Sequence, residues 1–336
     1  MLESGQRAEL ANGMKTDAYG FFFEEMKRPA YENPLYRKLF NVVKPSTGDE
    51  GTINSATMDV NFKETAYGEA FESGTAVDGR RHPYKLKRYS SKRGFDRALI
   101  DSDSSKEQVS NAIRVWVQSA VKKMMTTKEA KAHQIFNFGG YTAGHSVFNN
   151  SGRDFADTDL LYDGIELFNL VGNPRTMLKG PDSGITNSFY NSLGTSGVAL
   201  DATNFNTAYT LMTGTNIYGE DGAPDPFIPN CLLVHPGKWF DARQIESTQT
   251  GAPGDVNNSF NPWNGLVEVI PSPFLTQTNA WILFGKTNLW EAIEDEPIIN
   301  TWFDYDTDQY MVSMVWRFTL RVMTYRNCVG ANLPTS

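Results

Sequence analysis

Residues 310–322 read Tyr310-Met311-Val312-Ser313-Met314-Val315-Trp316-Arg317-Phe318-Thr319-Leu320-Arg321-Val322. Alternate positions put Tyr310, Val312, Met314, Trp316, Phe318, Leu320 and Val322 on one face. Met311, Ser313, Val315, Arg317, Thr319 and Arg321 fall on the other. A period of two kept up this far is a single β-strand, apolar on one side and mixed on the other, a face suited to water or another chain. Strands usually run about 5 to 6 residues, so this one predicts a sheet over which something long must lie.

Residues 104–138 supply that partner. Val109, Ala112, Ile113, Trp116, Val117, Ala120, Val121 and Met124 recur at helical spacing and form one apolar stripe. Ser104 with Glu107 three positions on makes a capping box, and Gly139-Gly140 supplies the stop. At about 1.5 Å per residue this helix spans roughly 50 Å. Thr126, Thr127, Lys128 and Lys131 weaken the stripe and predict a kink or break in its second half. Trp116 and Val117 on the helix and Trp316 and Phe318 on the strand are the expected centre of a helix-on-sheet core.

The chain has 336 residues, 40% hydrophobic and 21% charged, an ordinary globular composition for one large or two medium domains. A net charge of −8 and a pI near 5.2 argue against gripping nucleic acid through its phosphates. No apolar run approaches the roughly 20 residues that cross a bilayer, and the N-terminus lacks the regions of a signal peptide, so the chain is expected to stay in the cytoplasm where it is made. Cys231 and Cys328 are too few for a disulfide framework and read as packed thiols.

Residues 1–50 contain short amphipathic pieces, 18–26 and 36–43, punctuated by Pro29, Pro34 and Pro45. Phe21, Phe22, Phe23, Tyr31, Tyr36 and Phe40 make them too apolar for a free tail, so they must dock on something. Residues 51–100 read as strands around an extended hairpin. Its outgoing limb holds Glu64, Glu69, Glu72 and Asp78; its returning limb holds Arg80, Arg81, Lys85, Lys87, Arg88, Lys92, Arg93 and Arg97 against Asp96. So polar a hairpin should rest on a partner of complementary charge.

Residues 140–197 read as long loops. A helix capped by Asp201 or Thr203 follows, with Phe205, Ala208, Tyr209, Leu211 and Met212 as its buried side. Then come a buried strand over 230–234, a helix from Pro236 or Gly237 with Trp239, Phe240, Ala242 and Ile245, and strands over 266–270 and 281–284. This alternation is a second, α/β unit inserted between the long helix and the last strands.

No phosphate-binding glycine loop, dinucleotide fingerprint or nucleophile elbow occurs. The histidines, His82, His133, His145 and His235, are scattered, and Cys231 with His235 reads as a core pair. Asp154, Asp157, Asp159 and Asp163 lack the central glycine and closing glutamate of a calcium loop. Asp304, Asp306 and Asp308 stand where a turn must lead into the long strand. No cofactor or metal is expected.

The order of these parts resembles the major capsid proteins of tailed bacteriophages, whose fold is named after phage Hong Kong 97 (HK97). Asn33-Pro34-Leu35-Tyr36 and the residues to Val43 look like the family's N-terminal arm. Residues 64–91 are similar to its extended E-loop, and Phe95-Asp96-Arg97-Ala98-Leu99-Ile100-Asp101 to the entry of its spine helix. Cys231-Leu232-Leu233-Val234-His235-Pro236 with the helix over 239–247, then 265–270 and Pro273 to Trp281, are similar to axial-domain elements; 303–330, closing on Tyr325-Arg326-Asn327, resembles the peripheral-domain sheet.

The resemblance implies an α+β, HK97-like capsid fold: N-terminal arm 1–50, E-loop and peripheral-domain strands 51–100, spine helix 101–140, inserted α/β axial domain 141–290 and C-terminal peripheral-domain strands 291–336. It implies a structural protein without turnover, assembling in the host cytoplasm as hexamers and pentamers into the icosahedral shell of a virion, around the double-stranded DNA genome. Implied partners are copies of itself, a portal protein, a separate scaffolding protein, a decoration or cement protein, and packaged DNA held without sequence specificity; no membrane is involved. Inter-subunit contacts are expected at Phe21, Phe22, Phe23, Tyr36, Phe40, Glu69, Glu72, Arg80, Arg81, Lys85, Lys87 and Arg88. An encapsulin, a cellular compartment of the same fold, is the alternative reading. A hydrolase in 140–290 would need a clustered acid and base that the sequence does not show.

Overall fold

The computed structural model describes residues 4–45, 50–54, 57–59, 75–77, 81–96, 106–142, 145–149, 165–170, 190–215, 226–247, 263–288 and 290–334. Three helices open the chain: α1 (Ser4–Met26), α2 (Pro29–Glu32) and α3 (Leu35–Leu39). The strands β1 (Asn41–Val43), β2 (Glu50–Asn54), β3 (Thr57–Asp59), β4 (Thr75–Val77), β5 (Arg81–Lys85) and β6 (Lys87–Asp96) lead to the long helix α4 (Lys106–Phe138). After it come α5 (Ser146–Asn149), α6 (Ala202–Thr210), β7 (Cys231–Val234), α7 (Trp239–Ser247), β8 (Glu268–Pro271) and β9 (Trp281–Phe284). The chain ends in β10 (Trp290–Glu294), β11 (Ile298–Asp304), β12 (Gln309–Val322) and β13 (Cys328–Ala331).

The long strand is β12, 14 residues at the centre of a five-stranded sheet. β6 and β11 pair with the same residues of β12, so they occupy opposite edges. β10 continues the β11 edge, and β1 runs parallel outside it. Glu294 stands opposite Phe318 and Ile298 opposite Val315, leaving three residues facing two: a bulge at Asp295, Glu296 and Pro297. The Arg317 guanidinium pairs with the Asp295 carboxylate there. All seven residues of the apolar face of β12 are buried. The second face, read as suited to water or another chain, is largely buried within the subunit, at Met311, Ser313, Thr319 and Arg321.

Across the sheet lies α4, 33 residues without a break. The expected interruption is absent: the helix runs through Thr126 and Thr127, whose hydroxyls donate back to Lys122 O (2.8 Å) and Lys123 O (2.7 Å). Its buried stripe runs from Val109, Ile113, Trp116 and Val117 through Val121 and Met124 to Ile135 and Phe136. The Ser104 cap lies outside the described residues.

The opening differs from the expected short pieces: α1 is one helix of 23 residues. Its buried stripe, Met14, Ala18, Phe22 and Glu25, is narrow and packs against α4 and β11. It also covers the free edge of β11, where Ile299 N donates to the Tyr19 hydroxyl (3.1 Å) and the Thr301 hydroxyl donates to Ala11 O (2.8 Å). Such cover blunts a strand edge that would otherwise recruit other strands.

In the hairpin, β2 pairs with β5 and β3 with β4, antiparallel, before the chain enters β6. A second sheet has the order β13-β9-β7-β8, with every residue of β7, β9 and β13 buried. The final strand thus leaves the first sheet: β13 pairs with β9, and the Asn327 amide donates to Gly285 O (3.0 Å) at the crossing. The Asp201 carboxylate caps α6 by accepting from Asn204 N (2.8 Å). Cys231 and Cys328 are both buried, and burial pushes the Cys231 thiol up to about 12. His235 makes no pair with Cys231; its Nδ1 accepts from Gly237 N (3.1 Å) and caps the turn before α7. The acidic group 154–163 lies outside the described residues. The Asp304 carboxylate accepts from Asp306 N (3.1 Å) and the Thr307 hydroxyl (2.9 Å), so this aspartate serves the turn.

Candidate assembly surfaces and the arm latch

Pro34 sets extended backbone before α3, and this short helix delivers Tyr36 and Arg37 to the junction of α4 and β10. Tyr36 N donates to Glu129 Oε2 (3.1 Å), and the Tyr36 hydroxyl donates to Glu294 Oε2 (3.0 Å). Arg37 Nη2 donates to Glu294 Oε1 (3.3 Å), while Lys128 Nζ stands 2.5 Å from Glu294 Oε2. The Lys128 ammonium also lies 5.5 Å from the Trp316 ring centre and 5.7 Å from that of Phe318, within cation–π range. One carboxylate, Glu294, therefore gathers the arm, the long helix and the sheet.

Burial by itself would raise the Glu294 carboxyl. The adjacent Lys128 ammonium, with hydrogen bonds from Lys128 and Tyr36 and the Arg37 charge, outweighs burial and holds it below the usual carboxylate range. Burial pushes Lys128 below its ordinary value, against the pull of Glu294. Burial also raises the Tyr36 hydroxyl, and the Glu294 charge adds to the rise. Glu129 is pushed by burial up to about 7, against hydrogen bonds from Tyr36 and Leu35 that favour its charge. His133, one turn on, is pushed by burial down to about 4. Its Nδ1 is 2.7 Å from Glu129 O, and since a carbonyl can only accept, Nδ1 carries the hydrogen. Its Nε2 is buried and has no hydrogen-bond partner among the described residues, which fits a neutral ring.

The residues expected at inter-subunit contacts divide. Phe22, Tyr36 and Phe40 are buried inside their own subunit, in one cluster with residues of α4, β10 and β12. Phe21 is half-buried under the Arg114 guanidinium, 4.8 Å from the ring centre, and Phe23 is 59% exposed. Lys85 and Arg88 are exposed and Lys87 half-buried; Glu69, Glu72 and Arg80 lie outside the described residues, as does the side chain of Arg81. Trp116, Val117, Trp316 and Phe318 are all buried in one cluster, with Tyr89 stacked on Trp316 at 4.2 Å.

Two sets were not anticipated. Lys128, Glu129, His133 and Glu294 form the latch, although only Lys128 left a trace in the sequence, as a gap in an apolar stripe. On α7, Ala242 faces the core while Trp239 and Phe240 are exposed.

No curated protein matches the chain. A family model described as phage capsid protein matches residues 81–329. The chain belongs to the phage capsid protein family. Among solved structures this capsid protein is similar to the capsid of cyanophage P-SCSP1u at 9% identity and a TM-score of 0.51, over 90% of this chain and 89% of that one. It is also similar to a phage-related protein from Bordetella bronchiseptica RB50, at 12% identity, TM-score 0.48, 96% and 97% covered. The SrpI encapsulin complex of Synechococcus elongatus PCC 7942 is similar at 12% identity, TM-score 0.47, 89% and 87% covered. The capsid protein has the HK97-like fold, a structural shell component built from a long helix on a central sheet.

Proposed function

We propose that this chain is the major capsid protein of a tailed phage, assembling as hexamers and pentamers into an icosahedral shell around double-stranded DNA. The family match over residues 81–329 carries this reading. The arm 1–50 and the hairpin within 51–100 act as the reaching parts, 101–140 as the spine, 141–290 as the axial part and 291–336 as the closing strands. The net charge of −8 suits a container that must take in and release DNA, since a lumen gripping phosphates at every subunit would oppose both. Obligate contacts of about 2,000–5,000 Å² each, closed by symmetry, hold such a lattice without any chemistry of turnover. A portal protein, a separate scaffolding protein and a decoration protein are its further partners, host cytoplasm its place of assembly, and the virion its destination. Electron microscopy of the purified chain tests this: closed shells, with nuclease-protected DNA in particles from infected cells, are expected. Tubes or dispersed small particles overturn it, and shells filled with a protein cargo move it to the encapsulin reading.

A further inference from the structure

Between α4 and β6 lies a groove of about 360 Å³, lined by Trp116, Met124, Met314 and Trp316 with Tyr89 and Ser119 among its walls. Tyr89, Ser90 and Ser91 line it from β6, and alternation along the strand puts Lys87 and Arg93 on the Tyr89 face, just beyond the lining at either end. Lys123 lines it from the helix, and the Arg93 guanidinium lies 5.8 Å from the Phe95 ring centre. The result is an aromatic slot with a cationic rim.

A feature of opposite charge, with an exposed aromatic ring, stands elsewhere on the molecule. Tyr305, at the turn between β11 and β12, is 72% exposed and is flanked by Asp304, Asp306 and Asp308. The turn is preorganised: Asp304 ties down Asp306 N and Thr307, Asp308 takes φ 52°, and Phe303 packs edge-on to Tyr305 at 4.9 Å. Asp306 and Asp308 remain exposed. An aromatic anchor ringed by acids fits an aromatic slot ringed by bases, the usual anatomy of an interface hot spot.

We propose that this groove receives the Tyr305 turn of a second copy of the chain, with Asp306 and Asp308 against Lys123, Arg93 and Lys87. The proposal rests on the shell reading above. A subunit cannot fill its own groove this way: from Gln309 to Trp316, β12 covers about 3.3 Å per residue, which holds the turn roughly 20 Å from the slot. The donor and acceptor patches differ, so the contact is head-to-tail and propagates into rings or a lattice rather than closing as a two-fold dimer.

The test uses the full chain carrying Thr307→Cys and Ser119→Cys, which keeps Tyr305 and the acids in place, assembled and treated with a mild oxidant. A ladder of covalent multimers on a denaturing gel is expected from the double variant, and from neither single variant. In parallel, Asp306→Lys and Lys123→Glu should each weaken assembly about tenfold or more, as loss of a hot-spot contact does, with circular dichroism unchanged; together they should restore it. Shells that form normally from Asp306→Lys, or shells whose paired cysteines stay unlinked, overturn this contact while leaving the shell reading in place. A native chain that stays monomeric at every concentration overturns both.

Discussion

Lys128 Nζ stands 2.5 Å from Glu294 Oε2, joining a helix to a strand 166 positions along the chain, with side chains only 6% and 12% exposed. Removing one partner of a buried pair costs about 3–5 kcal/mol, mostly through the charge left behind. The two sides are unequal here. Glu294→Gln leaves the Lys128 ammonium buried beside a neutral amide with its charge unanswered by a carboxylate, whereas Lys128→Met leaves Glu294 still bonded to Tyr36 and Arg37. Glu294→Gln should therefore fall at the upper end of that range and Lys128→Met below it. Chemical denaturation of the unassembled subunit measures both; equal losses would contradict the shared-carboxylate arrangement.

Glu129 and His133 make a second, pH-dependent prediction. The Glu129 carboxyl sits near 7 folded against 4.5 in its ordinary state, so it contributes stability below 4.5 that is lost as pH rises through 7. His133 sits near 4 against 6.5, so its contribution is present above 6.5 and lost as pH falls through 4. The two slopes oppose each other and nearly cancel between 4.5 and 6.5. Glu129→Gln should expose the histidine alone: stability rising with pH between 4 and 6.5, by up to about 1.4 kcal/mol per pH unit. His133→Asn should show the reverse, a fall between 4.5 and 7. Melting curves across that range decide; two variants with flat profiles would refute the assignment.

Trp316 is 7% exposed, stacked on Tyr89 at 4.2 Å and under the Lys128 ammonium. Trp316→Ala should cost about 3–5 kcal/mol, and Trp116→Ala a similar amount from the facing helix. The Trp316 change also strips Lys128 of one of its rings, so combining it with Lys128→Met should cost less than the sum of the single changes. Additive losses in the double-mutant cycle would show that the ammonium gains nothing from that face.

The features that decide the fold were legible because they are local and periodic. β12 shows itself by alternation, α4 by its stripe, and the turn at Asp304 by its carboxylates. α1 was not legible: Met14, Ala18 and Phe22 make a stripe one residue wide, with Gly13 and Gly20 inside the helix, and its partners on β11 lie some 280 positions away. Amphipathic character announces that Tyr36 and Phe40 need cover, but not whether their own subunit or a neighbour supplies it. Trp239 and Phe240 mark the converse, since their apolar character does not tell that α7 leaves both exposed. The latch depends on Glu294 meeting Lys128, a long-range meeting that no spacing rule encodes.

Gly139, read from the sequence as a stop for α4, is needed for space. A Cβ there would stand 2.5 Å from Ile135 O and 2.8 Å from the Phe168 ring, and Phe168 N donates to Gly139 O (2.9 Å). The carbonyl belongs to the helix and cannot swing aside as a flexible side chain would. Gly139→Ala should destabilise the subunit by about 1–3 kcal/mol, as overpacking does, despite alanine's better helix propensity. A melting temperature at or above the native value would show that Phe168 and the helix end yield freely.

The basic limb gives the last prediction. Lys85 and Arg88 are exposed on a strand pair that carries little apolar surface, and Arg88 stands opposite Arg317, whose charge Asp295 already answers. Like charges placed opposite one another cost stability unless something outside the pair neutralises them. Within the shell reading, an acidic surface of a neighbouring subunit fills that need. Reversing Arg80, Arg81, Lys85 and Arg88 together to Glu should then leave circular dichroism and melting of the isolated subunit near native while abolishing shell closure. Because such contacts weaken with salt, the native protein should also assemble less well as ionic strength rises past the point where the screening length falls below about 8 Å. Normal particles from the fourfold variant would mean that the limb's charge serves only solubility.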